Sequence, residues 1–177
     1  VCTFGSGAMA SRVWVMPRLV YIVTHSISAR VLLEGQLAYM RERGFDVVVI
    51  ASPGEDMRGV AGVEGVAMVA IPMQRGIHPV QDLISLARLY RVLRALRPDI
   101  VNAGTTKAGF LGMLAAWISG VPVRIYMLRG LRLETLRGVK RIVLALTERI
   151  ASLCAHRVVC VSESLRRAYV RMGLVPA

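Results

Sequence analysis

Residues Arg97–Gly130 read RPDIVNAGTTKAGFLGMLAAWISGVPVRIYMLRG, and this stretch decides the fold. Pro98 cannot continue the arginine-rich helix before it and starts a strand over Asp99–Asn102. A helical pattern then occupies Lys107–Ser119, and Gly120 stops it. A second apolar strand runs from Pro122 to Leu128. Strand, helix and strand with only a few residues between them form a βαβ unit, which requires parallel strands.

Outward from this unit the same alternation holds in both directions. Toward the N-terminus, the spacing predicts strands over Arg18–Thr24, Asp46–Ser52 and Val66–Pro72. Helices are predicted over Ala29–Arg43, which stops at Gly44, and over Val80–Leu96. The second of these places Leu83, Leu86, Tyr90 and Leu93 on one face and Arg88, Arg91 and Arg94 on the other. Toward the C-terminus, helix Gly138–Ala155 precedes strand Arg157–Val161, and Ser162 caps a last helix that reaches Met172. Apolar strands separated by amphipathic helices imply a parallel sheet covered on both faces. Right-handed crossovers then give an α/β, Rossmann-like doubly wound parallel sheet.

The chain has 177 residues, and 55% of them are hydrophobic, which raises the question of a membrane span. The longest uncharged run, 16 residues between Lys107 and Arg124, contains Gly109, Gly112, Gly120 and Pro122. A spanning helix needs about 20 apolar residues without such breaks, so this run reads as a buried helix followed by a buried strand. The N-terminus lacks a basic segment followed by a sustained apolar one and does not read as a signal peptide. Because the first strand begins just after Met16-Pro17, residues 1–15 are expected to be a leader outside the domain, which would occupy 16–177. Cys2, Cys154 and Cys160 show no metal or redox spacing, which argues against disulfides and suits the cytoplasm.

The net charge is +12, and 21 of the 23 basic residues are arginine. Residues 124–171 hold eleven basic side chains against Glu134, Glu148 and Glu163, a local balance of +8. Such a field attracts phosphate-bearing partners, whether anionic lipid, nucleic acid or a diphosphate-linked substrate. Within it, Ile142, Leu146, Ile150 and Leu153 form an apolar stripe on one helix, with Arg137, Lys140 and Arg141 at its start. The stripe faces either a core, as in an ordinary packed helix, or an anionic lipid surface.

In a doubly wound sheet, ligands bind outside the carboxyl ends of the strands. That rule selects four loops. In the first, Thr24, His25, Ser26, Ser28 and Arg30 lead into a helix, where hydroxyls suit a phosphate or sugar oxygen or simply cap the helix. In the second, Asn102, Gly104, Thr105 and Lys107 form either an anion nest or a shaped turn, and the spacing is not that of a Walker A loop. The third carries Arg129, Gly130, Arg132 and Glu134. Two guanidiniums flank a glycine there, and arginine forks match phosphate oxygens; the bland alternative is a solvated basic loop. The fourth is Ser162-Glu163-Ser164. No metal-ligand set is present, since His25, His78 and His156 have no ligand spacing. The GxGxxA-like run Gly5–Ala10 follows no strand and is not a nucleotide fingerprint, which argues against a free-standing dehydrogenase.

The run from Arg18 to Ala177 resembles the N-terminal domain of family 4 glycosyltransferases of the GT-B fold. The resemblance lies in LVYIVTHSISARVLLEGQLAYMRERGFDVVVIAS, in LRALRPDIVNAGTTKAGFLGMLAAWISGVPVRIYMLRG and in VVCVSESLRRAYVRMG. It implies transfer of a sugar from a nucleotide-sugar donor, with retention, to a lipid-linked or saccharide acceptor in bacterial surface polysaccharide synthesis. The enzyme would then sit at the inner face of the cell membrane and touch an anionic membrane surface, with no nucleic-acid partner. It further implies that the loops above line the acceptor side. The donor is a co-substrate bound mainly by a C-terminal domain not present in this sequence, and no cofactor is needed. Many members carry His-Gly where this sequence has Arg129-Gly130. Arg129 is therefore the best candidate for charge stabilisation, because an arginine stays protonated and is no general base. Two other readings are the half of another GT-B enzyme, such as a sugar-nucleotide epimerase, and a non-catalytic basic Rossmann-like binding module.

Overall fold

The first strand, β1 (Arg18–His25), is buried along its whole interior, as a strand covered on both faces must be. The computed structural model describes residues 16–74, 76, 78–131, 133 and 137–174. The proposed leader, residues 1–15, lies outside the described residues. Five further strands join β1: β2 (Asp46–Ser52), β3 (Ala67–Ala70), β4 (Ile100–Gly104), β5 (Val123–Leu128) and β6 (Arg157–Cys160). All pair in parallel, in the order β3-β2-β1-β4-β5-β6. The strand order therefore reverses between β1 and β4, the place where an open α/β sheet forms its crevice.

The period-2 alternation of β1 divides the core in two. Val20 and Ile22 pack with Leu89, Leu93, Leu111, Ala151 and Tyr169, which belong to α4 (Pro79–Leu96), α5 (Thr106–Ile118), α6 (Gly138–Cys154) and α7 (Glu163–Arg171). Leu19, Tyr21 and Val23 pack on the other face with Ala29, Leu37 and Val60, from α1 (Ser26–Leu32), α2 (Gln36–Glu42) and α3 (Asp56–Glu64). At Gly109 a Cβ would overlap the Tyr126 ring, so only glycine lets α5 lie this close to β5.

The structure corrects two sequence expectations. The helix predicted over Ala29–Arg43 is two helices, α1 and α2, separated by a turn in which Gly35 has φ 70. The side chain of Glu64, at the end of α3, accepts hydrogen bonds from Gly35 N (2.7 Å) and Ala38 N (2.8 Å) and so caps α2 from a distance. That helix α3 has no counterpart among the predicted elements, since Gly59 and Gly62 interrupt its pattern. On α4 the buried positions are Ser85, Leu89 and Leu93, whereas Leu83 is exposed. Ser85 holds its place because its hydroxyl lies 2.7 Å from the carbonyl of Pro72.

On α6 the structure decides between the two readings of the apolar stripe. Ile142, Leu146, Ile150 and Leu153 are between 38% and 60% exposed, so the stripe does not face the core. The buried face is Glu148, Ala151, Ser152 and Cys154. Tyr126 Oη donates to Glu148 Oε2 at 2.7 Å, and Tyr169 Oη lies 3.2 Å from the same oxygen and 2.7 Å from Ser152 Oγ. These bonds give a buried carboxyl group its partners and turn α6 over. Burial pushes the Glu148 pKa up, and the two tyrosine hydrogen bonds oppose that rise.

Candidate functional site

Thr24 ends the apolar run of β1, and Thr105 follows β4. Their hydroxyl oxygens lie 2.7 Å apart, which closes the floor of the crevice at the strand reversal. Thr105 takes φ 73 and ψ 147, a region almost reserved for glycine. Its side chain makes no cap to α5 and points its hydrogen-bonding capacity at Thr24 instead. Its carbonyl accepts from Gly109 N at 2.6 Å and starts the helix.

Two clefts meet at Thr105 and Thr106. The larger, about 1010 Å³, is lined at its polar end by Thr24, His25, Ser28, Thr105 and Lys107. The smaller, about 300 Å³, lies against Tyr126, Leu128, Arg129 and Gly130. Thus Thr24, His25, Ser28, Thr105, Lys107, Arg129 and Gly130, seven residues from three separate loops, gather around one opening.

Arg129 is the most unusual of them. Its Nε is buried and has no hydrogen-bond partner among the described residues. Burial lowers its pKa, and the neighbouring Tyr21 hydroxyl opposes that shift. A Cβ on Gly104 would lie 3.3 Å from this Nε, so the glycine leaves the room the guanidinium occupies. A half-buried cation with an unused donor is suited to an anion entering the smaller cleft.

Lys107 differs, because its Nζ is already paired with Asp82 Oδ1 at 2.6 Å, with both side chains about one-fifth exposed or less. Asp82 also accepts from His78 N at 3.3 Å and anchors the start of α4. The pair fixes α5 to α4 at the cleft wall and leaves an ammonium at its edge.

The remaining described candidates do not line either cleft. Ser26 is buried against Gly54, where a Cβ would strike its hydroxyl. Arg30 pairs with Asp56 at 3.1 Å. Asn102 is buried within β4, in register with Tyr21 and Ile125. Ser162 Oγ caps α7 by accepting from Leu165 N at 3.3 Å. Glu163 pairs with Arg166 and Arg167, which hold its pKa down at about 2. Arg132 and Glu134 lie outside the described residues. Sequence reasoning missed His78, Asp82, Phe110 and Lys140, which line the larger cleft. They come from helix sides and helix starts, where the strand-end rule does not look. Among the described residues, no three His, Cys, Asp or Glu side chains gather as a metal site, and no helix is long and apolar enough to cross a membrane.

A parallel sheet in this order, wound on both faces with its crevice at the reversal, defines a Rossmann-like domain, and its solved structural neighbours have the GT-B fold. The chain belongs to the Glycosyl transferase 4-like domain family, whose pattern matches residues 29–177. It is 38% identical over 157 residues to the capsular polysaccharide biosynthesis glycosyltransferase CapM of Staphylococcus aureus, covering 89% of this chain and 40% of CapM. It is 34% identical over 87 residues to the Escherichia coli UDP-Gal:alpha-D-GlcNAc-diphosphoundecaprenol alpha-1,3-galactosyltransferase, covering 49% of this chain and 22% of that protein. Among solved structures, it resembles a putative UDP-N-acetylglucosamine 2-epimerase from Listeria monocytogenes, with TM-score 0.67 and 16% identity over 90% of this chain and 43% of that one. The epimerase likeness, at that identity, bears on the fold alone. The chain spans less than half the length of each of these proteins.

Proposed function

We propose that this chain is the acceptor-side domain of a retaining glycosyltransferase of bacterial surface polysaccharide synthesis. One observation carries the reading: 38% identity to a capsular polysaccharide glycosyltransferase over 157 residues, 89% of this chain. The donor is a nucleotide-sugar, held mainly by a second domain, and the acceptor is a lipid-linked or free saccharide. The E. coli relative is named for a UDP-sugar donor and a diphosphate-linked lipid acceptor, which supports both assignments. No further cofactor enters, since the nucleotide-sugar is itself the co-substrate. The protein works against the inner face of the cell membrane, where such acceptors are anchored.

In this reading Thr24, Ser28 and Thr105 take sugar hydroxyls at the crevice floor. Arg129, with its unused buried donor, lies where negative charge develops as the sugar–phosphate bond breaks. The acceptor oxygen bonds to the anomeric carbon as the sugar–phosphate bond breaks, and the hydroxyl proton leaves on the departing nucleoside diphosphate. The test is transfer of label from UDP-sugars into a lipid extract by the longer protein that carries this chain. Label in the lipid phase is expected. An epimerised nucleotide-sugar with no transfer product would overturn the reading in favour of an epimerase.

A further inference from the structure

We infer that the Asp82–Lys107 ion pair determines specificity in the larger cleft, selecting an uncharged sugar over a hexuronic acid at the position it contacts. This rests on the transferase reading and deepens it, because the larger cleft is taken as a saccharide site. Both residues line that cleft, Asp82 from the first turn of α4 and Lys107 from the start of α5. Their side chains are 21% and 16% exposed, and Lys107 Nζ stands 2.6 Å from Asp82 Oδ1. Phe110, one turn after Lys107 on α5, lines the same cavity and offers a sugar ring an apolar face.

The pair is balanced in charge but not exhausted in hydrogen bonds. Lys107 Nζ retains N–H donors beyond the one aimed at Asp82. Asp82 Oδ1 takes Lys107 and Oδ2 takes His78 N at 3.3 Å, which leaves a lone pair on each oxygen. A sugar hydroxyl both donates and accepts, so neighbouring hydroxyls match a carboxylate and an ammonium held side by side. The hydroxyls of Thr24, Ser28 and Thr105 at the polar end of the cleft are neutral partners of the same kind. A sugar carboxylate in this place would gain the attraction of Lys107 and meet the repulsion of Asp82. The two nearly cancel, and the cost of taking the carboxylate out of water remains. The other lysine lining the cleft, Lys140, is exposed, so water and salt screen its charge more than they screen the pair.

Each member of the pair therefore pulls the preference in its own direction. Asp82→Asn leaves Lys107 as an uncompensated cation, and Lys107→Gln leaves Asp82 as an uncompensated anion. The test titrates the full chain with methyl glycosides of glucose, galactose and mannose and with the corresponding uronides, read by amide shifts in NMR. Wild type should bind at least one neutral glycoside about 3- to 5-fold tighter than its uronide, the range a partly screened charge contact gives. Asp82→Asn should reverse that order, and Lys107→Gln should widen it, with thermal melts reporting the folding of each variant. Loss of a merely structural strut would weaken both kinds of glycoside alike in both variants. Should Asp82→Asn not fold, Lys107→Gln carries the test, and a preference that it leaves unwidened overturns the assignment. A wild type that favours the uronide, an order unchanged by Asp82→Asn, or no shifts at the cleft with any glycoside would overturn it as well. Label transfer in the longer protein separates this claim from the reading beneath it. Transfer without selectivity at the cleft keeps the transferase and removes the pair's role; selective binding without transfer to any acceptor keeps the site and removes the reaction.

Discussion

Thr24 and Thr105 lie 81 residues apart in sequence, yet their hydroxyl oxygens meet at 2.7 Å across the point where the sheet reverses. The contact joins the two halves of the doubly wound sheet at the floor of the crevice. It also holds Thr105 at φ 73, where a β-branched residue is strained. Strain at such a position persists only when the surroundings overdetermine it, and here the Thr24 hydroxyl and the start of α5 supply that determination.

That geometry separates two substitutions at the same site. Thr105→Ala and Thr105→Gly both lose the hydroxyl, but only glycine takes positive φ without penalty. The glycine variant should be the more stable of the two by about 1 kcal/mol, after its larger unfolded-state entropy is deducted. Urea unfolding of the pair measures this. A glycine variant less stable than the alanine variant would mean that Thr105 carries no backbone strain.

Arg129 makes a different demand, because its guanidinium has a buried nitrogen with nothing to bond. A ligand phosphate would satisfy it, and its planar fork has no equivalent in lysine. In the longer protein, Arg129→Ala is expected to lower sugar transfer by roughly 10²–10³-fold. Arg129→Lys should recover only a small part of that loss. Steady-state transfer within a few-fold of wild type for Arg129→Ala would remove Arg129 from the site.

The distant cap on α2 is testable by stability alone. Glu64 uses both carboxylate oxygens, one for Gly35 N and one for Ala38 N. Glu64→Ala leaves two N–H groups without a partner and should cost about 2–3 kcal/mol. Glu64→Gln keeps one acceptor oxygen and should fall midway. Denaturant midpoints in the order wild type, glutamine, alanine are the expected result, and a glutamine variant equal to alanine would argue that charge, rather than hydrogen bonding, holds the cap.

How much of this was legible in the sequence follows from where each signal resides. The strands showed themselves because a doubly covered parallel strand is a short apolar run, and Arg18–His25 is one. The strand-end rule named Thr24, Ser28, Thr105 and Arg129, which the structure places along the two clefts. Helix faces were harder. On α6 the apolar stripe alone left open which way the helix faces, and the fold turned the stripe outward. Glu148 finds Tyr126 and Tyr169, 22 and 21 residues away, and no local pattern encodes those partners. The break between α1 and α2 was hidden for the same reason, since its cap comes from Glu64, 29 residues beyond Gly35. Local periodicity carries the elements, and long-range polar pairing decides which face turns inward.

Glu148 itself gives stability a pH dependence whose sign can be worked out. Burial raises its pKa above the ordinary 4.5, with the Tyr126 and Tyr169 hydrogen bonds acting against the rise. The folded state therefore holds the proton more tightly than the unfolded chain does. Glu148 contributes its full share of stability below the unfolded pKa, and that share is lost as pH climbs from about 4.5 through the raised folded value. Glu148→Gln keeps a neutral hydrogen-bonding group of similar shape and removes the titration. The stability of wild type minus that of Glu148→Gln should thus fall as pH rises over this window, and the difference cancels every other titrating group the two share. Urea unfolding of both proteins from pH 4 to pH 8 measures it. A difference that instead grows with pH would show that the tyrosine hydroxyls stabilise the carboxylate more than burial penalises it, and that Glu148 is charged in the folded protein.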